Sequence, residues 1–286
     1  MVPTLFAGAS GFVFDGNVRT LQRVAAKVQR VLVVDPNPAM ARLLAEHMRP
    51  LGAVEMFAAP TAEKGYAMAR AVDPQLIFVE HGQSGVDGLA FTRKVRRGDL
   101  VCREAPIIMC ATDATADIIF GARDAGVHEF MRKPFNIKDL ERRLEAVTLK
   151  PRDWVEGVGY VGPDRRRFNS ADYRGPRKRK ADAVAATPAA RLSQALRIVK
   201  SAAQALDTDP AQARRALAAQ AEELRRVGEA VKDSRLIHAA AALASCTQAD
   251  LAGPGGRADL VKRIDAVMGF MAADDKGRAA PAVTVA

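Results

Sequence analysis

The sequence predicts an α/β domain with a five-stranded parallel sheet, followed by a basic linker and an all-α four-helix bundle. First, short apolar runs alternate with helical segments, and such β–α units need right-handed crossovers and give a doubly wound sheet. Second, a basic stretch without helical or strand period follows. Third, an alanine- and leucine-rich region has helical spacing. The predicted segments are an N-terminal extension with a short helix (1–29), the α/β domain (30–149), the linker (150–187), the bundle (188–275) and a flexible tail (276–286).

In the extension, Asn17 is a candidate cap for the short helix, whose apolar side would carry Val24 and Val28. We expect this helix to pack against the domain, with docking to a membrane surface or to a partner as the alternative. The five predicted strands of the domain are 31–34, 54–57, 76–79, 107–110 and 129–131. The helices that follow them are predicted at 38–49, 61–71, 89–97, 113–125 and 137–149.

The C-terminal region is divided by turn-forming residues. Asp209-Pro210 and the stretch from Gly253 to Gly256 interrupt its helical spacing. The predicted helices are 188–206, 210–230, 233–247 and 257–272. A bundle of this kind predicts protein docking or dimerisation.

The charge of the chain is concentrated in one place. The 286 residues carry a net charge of +10, and residues 150–180 hold 10 basic and 4 acidic residues, a net +6. A local basic excess favours an anionic partner. The three cysteines have no metal or redox spacing, no apolar run reaches 18 residues, and the N-terminus lacks the pattern of a signal peptide. These features predict a cytoplasmic protein without a membrane span.

Three charged residues are predicted to meet at one edge of the sheet. Asp35 follows the first strand, Glu80 ends the third, and Lys133-Pro134 follows the fifth. Because open parallel sheets bind ligands beyond the carboxyl ends of their strands, this edge is the candidate site. A Gly-rich turn closing in Asp87-Gly88 follows Glu80.

These motifs resemble the receiver domain of bacterial response regulators. The resemblance rests on Val-Leu-Val-Val-Asp35, the Asp87-Gly88 turn and Phe130-Met-Arg-Lys-Pro-Phe135, and it spans about residues 30–149. It implies a flavodoxin-like fold and a role in two-component, phosphorelay signalling. It also implies that Lys133 contacts the acceptor acid or its phosphoryl group, and that the surface formed by 113–149 docks a protein partner.

Two acidic positions depart from the receiver pattern. Glu80 stands where the family has its phosphoacceptor aspartate, and Pro36 follows Asp35 where receivers carry a second acid for Mg²⁺. Because magnesium needs near-octahedral oxygen ligation, loss of one carboxylate weakens that site, and we expect no cofactor. Glu80 either reaches towards Lys133 and permanently mimics the active arrangement of a receiver, or forms a structural ion pair with Lys133 in a pocket that no longer functions. Residual phosphotransfer is the third interpretation.

Two further positions depart from the pattern. Ala111 aligns with the Ser or Thr that normally ends the fourth strand, and Thr112 lies one residue late. Phe130 occupies the switch aromatic position, so no hydroxyl is available there. The four changes together predict a receiver shape without a phosphorylation switch.

The linker contains an internal repeat. Two copies of Tyr-x-Gly-Pro-x followed by three basic residues begin at Tyr160 and Tyr173. The planar guanidinium group of arginine forms bidentate hydrogen bonds with phosphates, and tyrosine rings can stack on purines. The candidate ligand-binding residues are Tyr160, Arg165, Arg166, Arg167, Tyr173, Arg174, Arg177, Lys178, Arg179 and Lys180.

A degenerate receiver followed by an Arg-rich extension is similar to bacterial motility regulators that bind cyclic di-GMP. That resemblance implies a cyclic dinucleotide as the ligand of the linker. The other interpretations are a solvated linker without a ligand, or a linker that binds a nucleic acid or an acidic protein surface.

His238 of the bundle lies on a predicted helix, as the histidine of a phosphotransfer bundle does. Ala241 and Ala242 stand where such bundles usually have Lys and Gly, so we expect an ordinary histidine.

No nucleophile–base pair, metal cluster or phosphate-binding loop appears in the sequence, so we expect no enzyme. The sequence indicates a bacterial signalling adaptor that works by protein contacts at the 113–149 face and the bundle. Cyclic di-GMP or another anion would act at the linker. The alternatives are a nucleic-acid-binding regulator that uses the linker, and a phosphorylated response regulator.

Overall fold

The computed structural model describes residues 23–48, 55–82, 85–165, 187–248 and 254–277. They form two compact units. The first unit contains the described residues up to Val155 together with 160–165. The second contains Glu156–Gly159 and the described residues from 187 onwards.

The first unit is built on a parallel sheet. Its strands are β1 (Arg30–Val34), β2 (Glu55–Ala59), β3 (Leu76–Glu80), β4 (Ile107–Ala111) and β5 (Glu129–Arg132). Their order is β2-β1-β3-β4-β5, and every neighbouring pair is parallel. This order is that of the flavodoxin-like doubly wound fold. The predicted fold class is therefore confirmed.

Helices cover both faces of the sheet. They are α1 (Pro38–Met48), α2 (Ala62–Val72), α3 (Gly88–Arg97), α4 (Ala116–Ala125) and α5 (Ile137–Leu149), with a 3₁₀ helix at Val101–Glu104. Side chains of a strand alternate between the faces. In β1, Leu32 packs with Phe91 of α3, whereas Val33 packs with Leu44 of α1 and Leu140 of α5. Both faces are thus apolar, as parallel sheets require.

The end of the N-terminal extension belongs to this core. Residues 23–25 are helical, and Val24 and Val28 are buried among the side chains of α1 and α5. Lys27 Nζ also donates to the carbonyl of Thr148, at 3.0 Å. This part of the extension packs as expected, whereas Asn17 lies outside the described residues.

The prediction of α4 from residue 113 is wrong by three residues. The hydroxyl of Thr115 accepts a hydrogen bond from the backbone N–H of Ile118, so Thr115 caps the helix and Ala116 begins it. β3 and β4 each extend one residue further than predicted. This extension brings Glu80 and Ala111 into their strands.

The prediction of irregular chain throughout 150–187 is also wrong. Two short strands, β6 (Trp154–Glu156) and β7 (Val161–Pro163), form a two-stranded sheet. Because only four residues join them, they make an antiparallel hairpin. Strands of three residues are too short to display the alternation that identifies a strand in sequence. Residues 166–186 lie outside the described residues.

The second unit contains a four-helix bundle. Its described helices are α6 (Pro188–Gln204), α7 (Pro210–Val231), α8 (Ser234–Gln248) and α9 (Pro254–Gly277). Each helix packs against the next, and α9 packs back on α6. The bundle core includes Leu196, Leu217, Leu224, Leu243 and Leu260. α9 begins at Pro254, three residues before its predicted start. Pro254 was predicted to lie in the turn before the helix, but proline also fits the first turn of a helix.

None of the described helices combines the length and the apolar character that crossing a membrane would need.

Candidate functional site

The candidate site lies at the carboxyl edge of the sheet, where three strand ends meet. Asp35 follows β1, Glu80 is the last residue of β3, and Lys133 follows β5. The backbone N–H of Lys133 donates to the carbonyl of Ala111, at 2.8 Å, which ties this residue to the end of β4. The structure therefore brings together the three charged residues that the sequence placed at this edge.

Lys133 binds both acids. Its Nζ lies 2.8 Å from Oδ2 of Asp35 and also forms a hydrogen-bonded ion pair with Oε2 of Glu80. The side chains of Asp35 and Glu80 are 3% and 5% exposed, and that of Lys133 is 17% exposed. The cluster thus holds two nearly buried carboxylates with one ammonium group between them.

The ionisation of Lys133 depends on these partners. Burial alone would lower its pKa, but the hydrogen bonds and negative charges of Asp35 and Glu80 outweigh that effect and raise the pKa above its ordinary value. The ammonium group is therefore charged at neutral pH. Two buried carboxylates need such a cation, because removing one partner of a buried pair leaves charge without compensation.

Asp35 has a second role in the local backbone. Its Oδ1 accepts a hydrogen bond from the N–H of Asn37, at 2.8 Å, and Oδ1 of Asn37 accepts from the N–H of Ala39, at 3.0 Å. Such bonds to the backbone two residues further on form Asx turns. These turns lead the chain from β1 into α1. Both carboxylate oxygens of Asp35 are therefore engaged.

The arrangement does not fit a receiver-type magnesium site. Magnesium requires near-octahedral oxygen ligation. Asp35 and Glu80 contribute carboxylates here, and both accept hydrogen bonds from Lys133. Pro36 occupies the position of the further acid. Across the described ranges, no group of three or more His, Cys, Asp or Glu side chains could hold a metal ion.

The remaining positions of the predicted pocket carry no hydroxyl into the interior. Ala111 is buried at the end of β4, whereas Thr112 is exposed. Phe130 is 3% exposed and packs in the same apolar cluster as Ala111 and Ala122. Cys110 lies behind the cluster, and burial raises the pKa of its thiol to about 12, so that it stays uncharged.

A glycine allows α3 to begin next to Glu80. A Cβ atom at Gly88 would lie only 2.5 Å from the carbonyl oxygen of Glu80. The side chain of Asp87 caps α3 by accepting from the N–H of Ala90, at 3.0 Å. The Asp87-Gly88 turn therefore has a packing role and a capping role beside the site.

The structure describes only two of the residues predicted to bind a ligand in the linker. Tyr160 is 8% exposed, and its hydroxyl donates to the carbonyl of Pro163, at 2.5 Å. The guanidinium carbon of Arg165 lies 4.6 Å from the centre of the Tyr160 ring, and its Nη1 lies 3.2 Å from Oδ1 of Asp124. The others lie outside the described residues: Arg166, Arg167, Tyr173, Arg174, Arg177, Lys178, Arg179 and Lys180.

Sequence reasoning missed the residues that hold the hairpin. Arg96 of α3 is 1% exposed and donates to the carbonyls of Gly126 (3.0 Å) and Ala105 (2.9 Å). Its guanidinium carbon lies 5.3 Å from the ring centre of Trp154 in β6. The Nη2 of Arg152 donates to the carbonyl of His128. No sequence spacing links these residues, since their partners are distant in the chain.

The neighbourhood of Arg96 keeps His128 neutral. Desolvation holds the pKa of His128 well below its usual range, and the charges of Arg96 and Arg152 lower it further. Nδ1 of His128 lies 3.2 Å from Nη2 of Arg96 and 3.3 Å from the N–H of Ile107. Both neighbours are donors, so Nδ1 is the acceptor.

Comparison with known proteins supports the receiver part of the chain. Residues 31–145 match the family model "Response regulator receiver domain". Over 114 residues the chain is 31% identical to the KDP operon transcriptional regulatory protein KdpE of Escherichia coli, covering 40% of this chain and 48% of that protein. It is 29% identical to the chemotaxis protein CheY1 of Helicobacter pylori, covering 41% of this chain and 95% of that protein.

A further relative and a solved structure are similar to the same part of the chain. The DNA-binding dual master transcriptional regulator RpaA of Synechocystis is 26% identical, over 41% of this chain and 48% of that protein. The chain thus spans about half the length of the two transcriptional regulators. Chemotaxis protein CheY4 of Vibrio cholerae aligns with 22% identity and a TM-score of 0.39, over 42% of this chain and 98% of that chain. Residues 31–145 match the receiver-domain family model, and the described bundle helices lie outside that match.

Proposed function

We propose that this chain is a non-enzymatic signalling adaptor whose receiver domain works through protein contacts without phosphorylation of an aspartate. The acceptor position holds Glu80, and signal input reaches the protein through an anionic ligand at the basic linker. Cyclic di-GMP is the ligand that the Arg-rich repeat favours.

One observation carries the proposal: the ammonium group of Lys133 binds both Asp35 and Glu80. A phosphorylatable pocket needs a carboxylate open to a phosphodonor, and oxygens open to magnesium. In this cluster the two carboxylates already have their cation. The cluster supports both earlier interpretations of Glu80, the active-state mimic and the structural ion pair.

Phosphoryl labelling tests this part. The full chain would be incubated with labelled acetyl phosphate and Mg²⁺, beside the variants Glu80→Ala and Glu80→Asp. We expect the wild type to incorporate no more label than Glu80→Ala. Strong Mg²⁺-dependent labelling of the wild type that disappears in Glu80→Ala would contradict the proposal and favour a phosphorylated response regulator.

The proposed docking surface consists of α4, β5 and α5. Phe120 of α4 is 54% exposed, and the guanidinium carbon of Arg123 lies 5.1 Å from its ring centre. An exposed aromatic side chain beside an arginine is typical of protein interfaces. This surface falls within the 113–149 face indicated by the family resemblance. The bundle offers a second surface for docking or dimerisation.

Calorimetry tests the ligand. Cyclic di-GMP would be titrated at about 150 mM salt, where attraction between distant exposed charges is largely screened. We expect saturable binding that is lost when Arg165, Arg166 and Arg167 are changed to Ala. A control with Arg197, Arg226 and Arg235 changed to Ala removes the same charge from the bundle and should bind normally. Absence of binding by the wild type would overturn this part.

The second candidate function is nucleic-acid binding, which the net charge of +6 in residues 150–180 favours. Several phosphate contacts release counterions, so affinity for DNA or RNA would fall steeply between about 50 and 200 mM salt. Binding of a cyclic dinucleotide, with two phosphates, would fall much less. A salt series with both ligands separates the two functions.

A further inference from the structure

Asp124, at the end of α4, is a carboxylate held by two arginines. Oδ1 of Asp124 lies 3.0 Å from Nε of Arg123 and 3.2 Å from Nη1 of Arg165. Oδ2 lies 3.3 Å from Nη2 of Arg123. The hydrogen bond from Arg123, and then that from Arg165, hold the pKa of Asp124 below its ordinary value against the effect of partial burial. Two guanidinium groups thus converge on one anion.

The position of Arg165 is fixed from the other side by an aromatic ring. Its guanidinium carbon lies 4.6 Å from the centre of the Tyr160 ring. The hydroxyl of Tyr160 is engaged with the carbonyl of Pro163, and burial raises its pKa to about 12, so the ring is a fixed, uncharged support. Arginine stacked on an aromatic face keeps its N–H groups directed to the side, where they can bind an anion.

Close backbone packing holds this support against α4. A Cβ atom at Gly126 would lie 2.6 Å from the carbonyl oxygen of Val161, and one at Gly162 would lie 2.8 Å from Cα of Gly126. Both glycines have positive φ angles, of 95° and 153°. Because β7 contacts the end of α4 this closely, Arg165 is delivered to Asp124 by the fold of the hairpin.

We propose that Arg123 and Arg165, backed by Tyr160, form an anion-binding site for a phosphodiester, which Asp124 occupies until the ligand displaces it. This inference rests on the proposed function and names how the ligand would act on it. A phosphodiester and a carboxylate both accept paired hydrogen bonds from arginine, so the two compete for the same groups.

The consequence is a link between the linker and the proposed docking surface. Asp124 and Arg123 belong to α4, as does the exposed Phe120. A ligand that replaces Asp124 as the partner of Arg165 would also replace it as the partner of Arg123. The guanidinium group of Arg123 lies over the ring of Phe120. Ligand capture would therefore alter the charge and side-chain arrangement of α4 without any change in the Asp35–Glu80–Lys133 cluster.

The test compares the affinities of Asp124→Asn and wild type for cyclic di-GMP by calorimetry, with Asp117→Asn as the matched control. Asp117 is also an exposed acid on α4 but lies at the opposite end of the helix, so this variant makes the same change in net charge. An exposed ion pair contributes about 0.2–1 kcal/mol, so we expect Asp124→Asn to bind roughly twofold to fivefold more tightly than Asp117→Asn.

A second measurement, of trypsin cleavage, needs no ligand. Trypsin must draw Arg165 away from Asp124 before it can cleave after this residue. We expect initial cleavage after Arg165 to be about twofold to fivefold faster in Asp124→Asn than in Asp117→Asn at low salt.

The outcomes separate the two proposals. If all three proteins bind cyclic di-GMP with equal affinity, the competition by Asp124 is refuted while the ligand of the proposed function stands. If none binds, the ligand is refuted and the competition with it. Equal cleavage rates after Arg165 would refute the contact between Asp124 and Arg165 itself, whatever the calorimetry gives.

Discussion

At the scale of single residues, Lys133 is the cation of the candidate pocket. It neutralises two carboxylates that are almost inaccessible to water, Asp35 and Glu80. The sequence alone allowed their meeting to be predicted, because all three follow or end parallel strands at the same sheet edge. The contact between Asp124 and Arg165 could not be predicted, because the two residues are 41 positions apart and one of them follows an unrecognised hairpin.

Replacing Lys133 should destabilise the first unit. In Lys133→Met the two buried carboxylates lose their cation, so we expect the free energy of unfolding to fall by about 3 kcal/mol. Trp154 is the only tryptophan of the chain, so urea unfolding followed by its fluorescence reports on this unit. Adding Glu80→Gln should recover part of the loss, since it removes one uncompensated charge. The exposed Lys64→Met is the control, and an equal effect of both lysine variants would contradict the assignment.

The cluster also predicts a dependence on alkaline pH. The pKa of Lys133 is raised in the folded state, so its contribution to stability is fully present below the unfolded pKa of about 10.4 and is lost as pH rises through the higher folded value. Between about pH 9 and pH 11, wild-type stability should therefore fall more than that of Lys133→Met. Other groups titrate in both proteins, including Tyr160. Parallel loss of stability in the two proteins would contradict the raised pKa.

At the scale of elements, β7 and the first residues of β6 extend the first unit beyond α5. Sequence periodicity identified the five strands and five helices of the sheet domain, with errors at some of their ends. It missed β6 and β7, because strands of three residues carry too little pattern. The hairpin is held instead by contacts that only the fold creates. Among them are Trp154 over Arg96, and Val161 against Gly126.

Trp154 should contribute to the stability of the first unit. Besides Arg96, the guanidinium carbon of Arg103 lies 5.9 Å from its ring centre. Removing the ring in Trp154→Ala eliminates apolar packing and two cation–π contacts, so we expect a loss of about 2 kcal/mol in urea unfolding followed by circular dichroism. Trp154→Phe keeps an aromatic face and should lose clearly less. If the alanine variant unfolds like wild type, the hairpin does not stabilise the unit.

Gly126 is expected to be intolerant of a side chain. It has a φ of 95°, and an added Cβ would meet the carbonyl oxygen of Val161 at 2.6 Å. Gly126→Ala should therefore cost at least about 2 kcal/mol, from backbone strain and from displacement of β7. Gly159→Ala in the hairpin loop meets nothing within 4 Å and should be nearly neutral. Equal stability of the two variants by tryptophan fluorescence would contradict the close packing of β7 on α4.

At the scale of the whole molecule, both the α/β class and the helical region could be predicted, because the periodic spacing of their apolar residues extends over many positions. The charge distribution was also visible in sequence, with more than half of the net charge in residues 150–180. What a sequence cannot supply is the pairing of individual side chains. Whether the carboxylate of Glu80 is open to a ligand or is paired with a lysine depends on distances in the folded chain.

The central claim is that the Asp35–Glu80–Lys133 cluster leaves the receiver pocket closed to magnesium and to phosphoryl transfer. The most direct measurement is the amide NMR spectrum of the full chain during addition of Mg²⁺ and then acetyl phosphate, with attention to the signals of Asp35, Glu80 and Lys133. The account predicts that these signals stay unchanged at both steps. Saturable shifts at Asp35 and Glu80 with Mg²⁺, followed by a new set of signals with acetyl phosphate, would contradict it.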